Sequence, residues 1–226
     1  MAKVDVKKKI LSENDRMAAE NRARFGEAGV LVLNLISSPG SGKTTLLEGT
    51  LDRLAGQVRV LVIEGDVSTD RDIERVKAHG AGGVQINTGG GCHLSAKMVA
   101  GVMPELDLDE ADVVFIENVG NLICPSTYDL GEDAKVVLLS TTEGDDKPMK
   151  YPAIFHESSV AVINKIDLVE YLPYDPARAE KEIGVLNESC DVLRLSALKG
   201  EGMDEWIEWI LRRLEEKRAA REEAPA

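Results

Sequence analysis

Residues 37–45 read SSPGSGKTT, and no other stretch constrains the fold of this 226-residue chain as strongly. The apolar run before it, residues 30–36 (VLVLNLI), is long enough for a buried strand, and residues 45–54 after it suit a helix. A glycine-rich turn between strand and helix aims successive backbone N–H groups, and the positive end of the helix dipole, into one concavity. Polyphosphate suits such a site. In the pattern G-x-x-x-x-G-K-[ST], the lysine reaches the β- and γ-phosphates and the next hydroxyl coordinates Mg²⁺. Here those residues are Lys43 and Thr44, with Gly40, Ser41, Gly42 and Thr45 around them. Ser37 stands where the pattern has its first glycine, and it fits without strain if its φ stays negative.

Length allows one well-buried α/β domain with small appendages. No run approaches the ~18 apolar residues of a membrane span. The N-terminal residues are basic but lack an apolar core, so they do not read as a signal peptide, and the expected location is cytoplasmic. A net charge of −13 argues against a nucleic-acid partner and favours cations. Three cysteines, Cys92, Cys124 and Cys190, cannot all pair within one chain, and a cytosolic compartment would keep them reduced.

Past the loop, residues 58–64 (VRVLVIE) read as the next strand. Loops after strand ends are where open α/β sheets bind ligands. Asp66 and Asp70 are therefore candidates for the Mg²⁺ shell or for orienting a water, with a helix N-cap as the other reading, favoured for Asp70. A helix is expected over 71–78. A short strand over 83–87 leads through three glycines to Cys92 and His93, then a helix over 94–103. A cysteine at a helix start feels the dipole, which favours the metal-ligating thiolate. Residues 111–117 (ADVVFIE) form an apolar strand ending in Glu117, where an acidic residue holds Mg²⁺ directly or through water. Gly120 follows at a place where its N–H can sense a γ-phosphate. Cys124 lies seven residues beyond Glu117, within about 25 Å of extended chain.

Strands over 134–140, 159–164 and 192–195 complete the alternation, which suits parallel strands joined by crossovers. The expected architecture is α/β: a three-layer P-loop NTPase fold with a mainly parallel central sheet flanked by helices. After the second of these strands comes Asn164-Lys165-Ile166-Asp167, and after the third Ser196-Ala197-Leu198. A carboxylate at Asp167 can accept from guanine N1–H and its exocyclic amino group together. A base that cannot complete those bonds is rejected, because a polar group is left unpaired. Cys190 reads as a buried free thiol. Residues 203–217 form an amphipathic closing helix with Trp206 in the core. Residues 1–28 read as an N-terminal helical extension, 29–217 as the GTPase domain, and 218–226 as a frayed tail.

With the phosphate loop, the Glu117 strand, NKID and SAL in order, the chain resembles GTPases of the SIMIBI class. The segments NTGGGCHLSAKM and NVGNLICPSTYDLGE make it similar to the hydrogenase nickel-incorporation GTPases, the HypB family, from about Val30 to the final helix. That resemblance implies slow GTP hydrolysis, GTP-favoured homodimerisation, and a Zn²⁺ or Ni²⁺ site of Cys92, His93 and Cys124 near the dimer interface. It also implies a nickel-delivery accessory protein and the hydrogenase large-subunit precursor as partners. Some members carry an N-terminal Cys motif or His-rich tract; this chain has no Cys or His there. Two other readings stand beside it. One is the urease-accessory nickel GTPase, whose metal motif is Cys-Pro-His where this chain has Cys92 directly before His93. The other is a non-catalytic carrier whose nucleotide site only sets a conformation.

Overall fold

The protein is described by a computed structural model covering residues 6–66 and 71–223, with side chains described for 10–65 and 75–222. Helix α1 (Val6–Ala28) leads into β1 (Leu31–Ser37), the phosphate loop and α2 (Lys43–Leu54). Then come β2 (Val60–Asp66), α3 (Arg71–Ala78), β3 (Gly82–Asn87), α4 (Ala96–Val102) and β4 (Val113–Glu117). The second half contributes β5 (Ala134–Ser140), the short α5 (Lys147–Lys150) and α6 (Pro152–Glu157), β6 (Val160–Asn164), α7 (Pro176–Leu186), β7 (Asp191–Arg194) and α8 (Met203–Glu223).

The strands form one sheet in the order β3-β2-β4-β1-β5-β6-β7, and every neighbouring pair is parallel. The expected fold is therefore present, and the sheet is wholly rather than mainly parallel among the described residues. Side chains alternate along β1, so Leu31, Leu33 and Leu35 meet the α2 and α8 layer, through Leu47, Leu51, Trp206 and Ile210. Val32 faces the other layer, where Phe25 of α1 and Val99 of α4 pack. Ile36 joins Phe155 of α6 and Ile183 of α7 further along that face. Each fully buried aliphatic or aromatic side chain contributes roughly 1.5–3 kcal/mol.

β1 lies between β4 and β5, which places the phosphate loop at the middle of the sheet's C-terminal edge. A parallel sheet concentrates its ligand-binding loops there, at the crevice where the strand order reverses. Most element ends shift by one or two residues from the sequence reading, and two shifts have a clear physical cause. Helix α4 starts at Ala96 rather than 94, because Ser95 caps it by accepting from Met98 N. The frayed tail expected from Arg218 is helical through Glu223. Arg221 donates to the carbonyls of Glu27 and Ala28 at 2.8 and 3.1 Å, satisfying two of α1's terminal acceptors, and Arg218 pairs with Asp112.

Candidate nucleotide and metal sites

The loop between β1 and α2 takes the shape its glycines permit. Gly40 and Gly42 have φ of 79° and 94°, and Gly42 precedes α2 with no side-chain cap, leaving the helix's first N–H groups to the concavity. A Cβ on Gly42 would lie 2.5 Å from Asn164 Nδ2, so no other residue fits the close approach. Ser37 ends β1 without a positive φ and is unstrained, as its place in the pattern requires.

Asn164 ties the distant motifs together. Its Nδ2 donates to the Ser41 carbonyl at 2.8 Å, while its Oδ1 accepts from Lys165 N and Ala197 N at 2.8 and 3.0 Å. Lys165 adopts a left-handed φ of 63°, the non-glycine exception among the described residues, and its Nζ donates to the Gly40 carbonyl at 2.7 Å. These bonds stitch NKID and SAL onto the phosphate loop. Ser196 is buried and its Oγ accepts from Lys199 N, whereas Leu198 is largely exposed. The Asp167 carboxylate is half-buried and makes no hydrogen bond among the described residues, so it is free to accept from a ligand.

At the end of β4, Glu117 Oε1 accepts from Lys43 Nζ at 3.0 Å and from Thr44 Oγ1 at 2.8 Å. Its other oxygen, Oε2, is buried without a hydrogen-bond partner among the described residues. An unsatisfied buried carboxylate oxygen beside a threonine hydroxyl is an oxygen-donor set suited to Mg²⁺. Asp66 closes β2 in the same region, but its side chain, like all of Asp70, lies outside the described residues.

Lys43, Thr44, Thr45, Gly120, Lys165 and Arg75 line one cleft of ≈ 370 Å³. Arg75 was not legible as a site residue, because its helix follows a turn-like segment and its side chain is tied to Glu48 of α2, at 2.8 and 3.0 Å. Ser41 Oγ makes a further tie, to Glu143 at 2.8 Å. A larger cleft of ≈ 600 Å³ lies at the opposite edge of the sheet, but it contains no motif residue, and several of its charged groups pair, as in Arg59–Glu110 and His79–Asp52.

On the other side of β4, Cys92, His93 and Cys124 converge with their ligating atoms all within 4.8 Å of one another. Cys92 Sγ is 3.4 Å from His93 Nδ1, and the His93 ring lies against Tyr128, centroids 3.9 Å apart. Two thiols and an imidazole form a soft donor set that fits Zn²⁺ or Ni²⁺. One expectation is corrected here. Cys92 precedes the α4 cap by three residues, and a hydrogen bond with the Cys124 thiol, followed by desolvation, pushes its pKa up rather than down. Burial pushes His93 down, which keeps its imidazole neutral and able to ligate near pH 7. Cys190 sits apart, buried and raised to about 12 by burial, as a structural thiol should be.

Residues 31–194 match the CobW/HypB/UreG nucleotide-binding domain. Over 207 residues the chain is 49% identical to the hydrogenase maturation factor HypB of Escherichia coli K12, covering 92% of this chain and 71% of that protein. The chain belongs to the HypB family. Among solved structures, HypB from Helicobacter pylori in complex with nickel superposes with a TM-score of 0.86 at 38% identity, covering 91% of this chain and 97% of that one. HypB from Archaeoglobus fulgidus gives 0.84 at 37% identity, covering 90% and 99%. This HypB-family chain thus joins a nucleotide-binding P-loop fold to a Cys-His-Cys cluster. No helix among its described residues is long and apolar enough to cross a membrane.

Proposed function

We propose that this chain is a GTP-hydrolysing metallochaperone that carries Ni²⁺ or Zn²⁺ on Cys92, His93 and Cys124 and assists nickel insertion during [NiFe]-hydrogenase maturation. One observation carries the reading. Residues 117–124 begin at Glu117, which touches Lys43 and Thr44, pass Gly120 in the phosphate cleft, and end at Cys124 in the thiol cluster. A single short segment therefore serves both sites.

In this reading Lys43 and the free N–H groups of α2 hold the β- and γ-phosphates, and Asp167 accepts from guanine. Thr44, Glu117 and Asp66 would hold Mg²⁺, which neutralises charge on the phosphates when bound. Water attacks the γ-phosphorus as its bond to the β,γ-bridging oxygen breaks, and the products are GDP and phosphate. Three protein ligands leave a tetrahedral Zn²⁺ one short, whereas Ni²⁺ accepts a square-planar set; water or a second subunit supplies the fourth donor. A homodimer favoured by GTP supplies that donor symmetrically. A nickel-delivery accessory protein and the hydrogenase large-subunit precursor are the proposed donor and acceptor, in the cytoplasm. The hydrogenase-maturation role of the Escherichia coli relative and the nickel complex of the Helicobacter pylori relative support this assignment.

The purified full chain should convert GTP but not ATP to the diphosphate and bind Ni²⁺ with a thiolate charge-transfer band that Cys92→Ala abolishes. Nickel binding with no GTP turnover, even in single-turnover assays, would leave a carrier whose nucleotide site only sets a conformation.

A further inference from the structure

A chain of buried polar side chains runs between the two sites without belonging to either. Asn34 of β1 is 0% exposed and Asn118, immediately after Glu117, is 1% exposed. Asn118 Nδ2 donates to Asn34 Oδ1 at 3.2 Å, and Asn34 Nδ2 donates to Glu132 Oε1 at 3.2 Å. At one end, Asn118 Oδ1 accepts from Leu94 N at 3.1 Å, the amide directly after His93, and from Val119 N at 3.0 Å. At the other, Glu132 Oε2 accepts from Leu130 N, in the loop that follows Cys124 and Tyr128.

Amides in the middle of a sheet face are costly unless they are paired, and here each side-chain nitrogen and oxygen of Asn34 and Asn118 has at least one partner. Ile36, Ile116 and Leu94 surround it. The network fixes both metal-bearing loops to the two central strands, one of which ends at the phosphate loop and the other at Glu117.

We propose that Asn118 is a positioning residue that transmits the arrangement of Glu117 to the Cys92–His93 loop, an inference that rests on the nickel GTPase reading above. Glu117 and Asn118 are consecutive, so their side chains leave opposite faces of the sheet: one meets Lys43 and Thr44, the other meets Leu94 N. A polyphosphate that takes Lys43 removes one of Glu117's two donors. Any rotation of the 117–118 backbone that follows alters the bonds at Asn118 Oδ1 and shifts His93 relative to Cys124. This route is distinct from the covalent one through residues 119–124.

The test titrates Ni²⁺ into the full-length chain with GDP and with a non-hydrolysable GTP analogue, reading the thiolate-to-nickel band, and compares the ratio of the two affinities. The wild-type ratio should depart from one by about fivefold or more. Asn118→Ala should still bind the analogue and saturate with nickel, with the ratio moving several-fold toward one, because this link and not the ligands is lost. Asn121→Ala, which removes a 3.3 Å bond to the Cys92 carbonyl but leaves the network intact, should weaken nickel equally in both states and keep the wild-type ratio. If Asn118→Ala fails to fold, Asn118→Leu, which keeps the side-chain volume and removes the acceptor for Leu94 N, is read the same way. A wild-type ratio in the Asn118 variant would overturn the proposal. A ratio of one already in the wild type would overturn it together with nucleotide-coupled metal binding.

Discussion

Lys43 Nζ and Glu117 Oε1 lie 3.0 Å apart with side chains only 13% and 5% exposed, so the lysine proposed to bind phosphate is also half of a buried ion pair. Lys43→Ala should abolish GTP binding and, by leaving a buried carboxylate uncompensated, also cost about 3 kcal/mol of stability. The double variant Lys43→Ala/Glu117→Gln should recover most of that stability while nucleotide binding stays lost. Urea denaturation paired with fluorescent-nucleotide titration separates the two effects. Normal GTP turnover by folded Lys43→Ala protein would refute the loop's assignment.

Asp167 should read the base. Its half-buried carboxylate makes no hydrogen bond among the described residues, and an amide there donates where guanine's amino group would clash and xanthine's carbonyl accepts. Asp167→Asn should therefore move preference from GTP toward xanthosine triphosphate. Equal preference for GTP in both proteins, measured by competition, removes Asp167 from base recognition.

How far the sequence exposed these sites depends on how local each signal is. The phosphate loop, NKID, SAL and the Cys-His pair are contiguous residues with a fixed chemical use, and the structure brings them to one edge of the sheet. The helix at 71–78 and the strand at 134–140 were legible to the residue, since glycines, charges and β-branched runs bound them. What was hidden needed a partner far along the chain. Arg75 enters the phosphate cleft only because α3 packs on α2, and the tail from Arg218 stays helical only because Arg221 finds the end of α1. Asn34 did leave a mark, as the polar residue inside VLVLNLI, but its partners Asn118 and Glu132 are 84 and 98 positions away.

Turnover should be slow. No Gln or Arg follows Gly120 to position water, and the nearest arginine in the cleft, Arg75, is held by Glu48. Assistance by an arginine is worth ~10³ to 10⁵ in other GTPases, so the isolated chain should turn over well below about 1 s⁻¹. Phosphate release at saturating GTP and Mg²⁺ measures it directly; a faster monomer would show that the cleft already holds all it needs.

Metal binding should release protons and strengthen with pH. The Cys92 pKa lies above its usual value, chiefly because Cys124 hydrogen-bonds to it, so the thiol carries a proton near pH 7 that a metal must displace. Affinity should rise about tenfold per pH unit for each proton displaced, up to the thiol's own pKa. His93, already lowered by burial, should contribute no proton above pH 7. Ni²⁺ affinity measured from pH 6.5 to 8.5, with proton release followed in weak buffer, tests this; a flat profile would exclude thiolate ligation.

Nucleotide and metal should be bound by one coupled device, and linkage makes the coupling measurable from either side. If the GTP-analogue complex binds Ni²⁺ or Zn²⁺ about tenfold differently from the GDP complex, the coupling is about 1.4 kcal/mol, and metal must change the relative affinity for the two nucleotides by the same factor. The measurement is a closed cycle: metal titrated into the apo, GDP-bound and analogue-bound chain, and each nucleotide titrated with and without metal, at fixed protein concentration with oligomeric state followed throughout. The two factors should be equal and reciprocal, and both should vanish in Cys92→Ala and Cys124→Ala. Metal affinity indifferent to nucleotide, or retained after both substitutions, would contradict it.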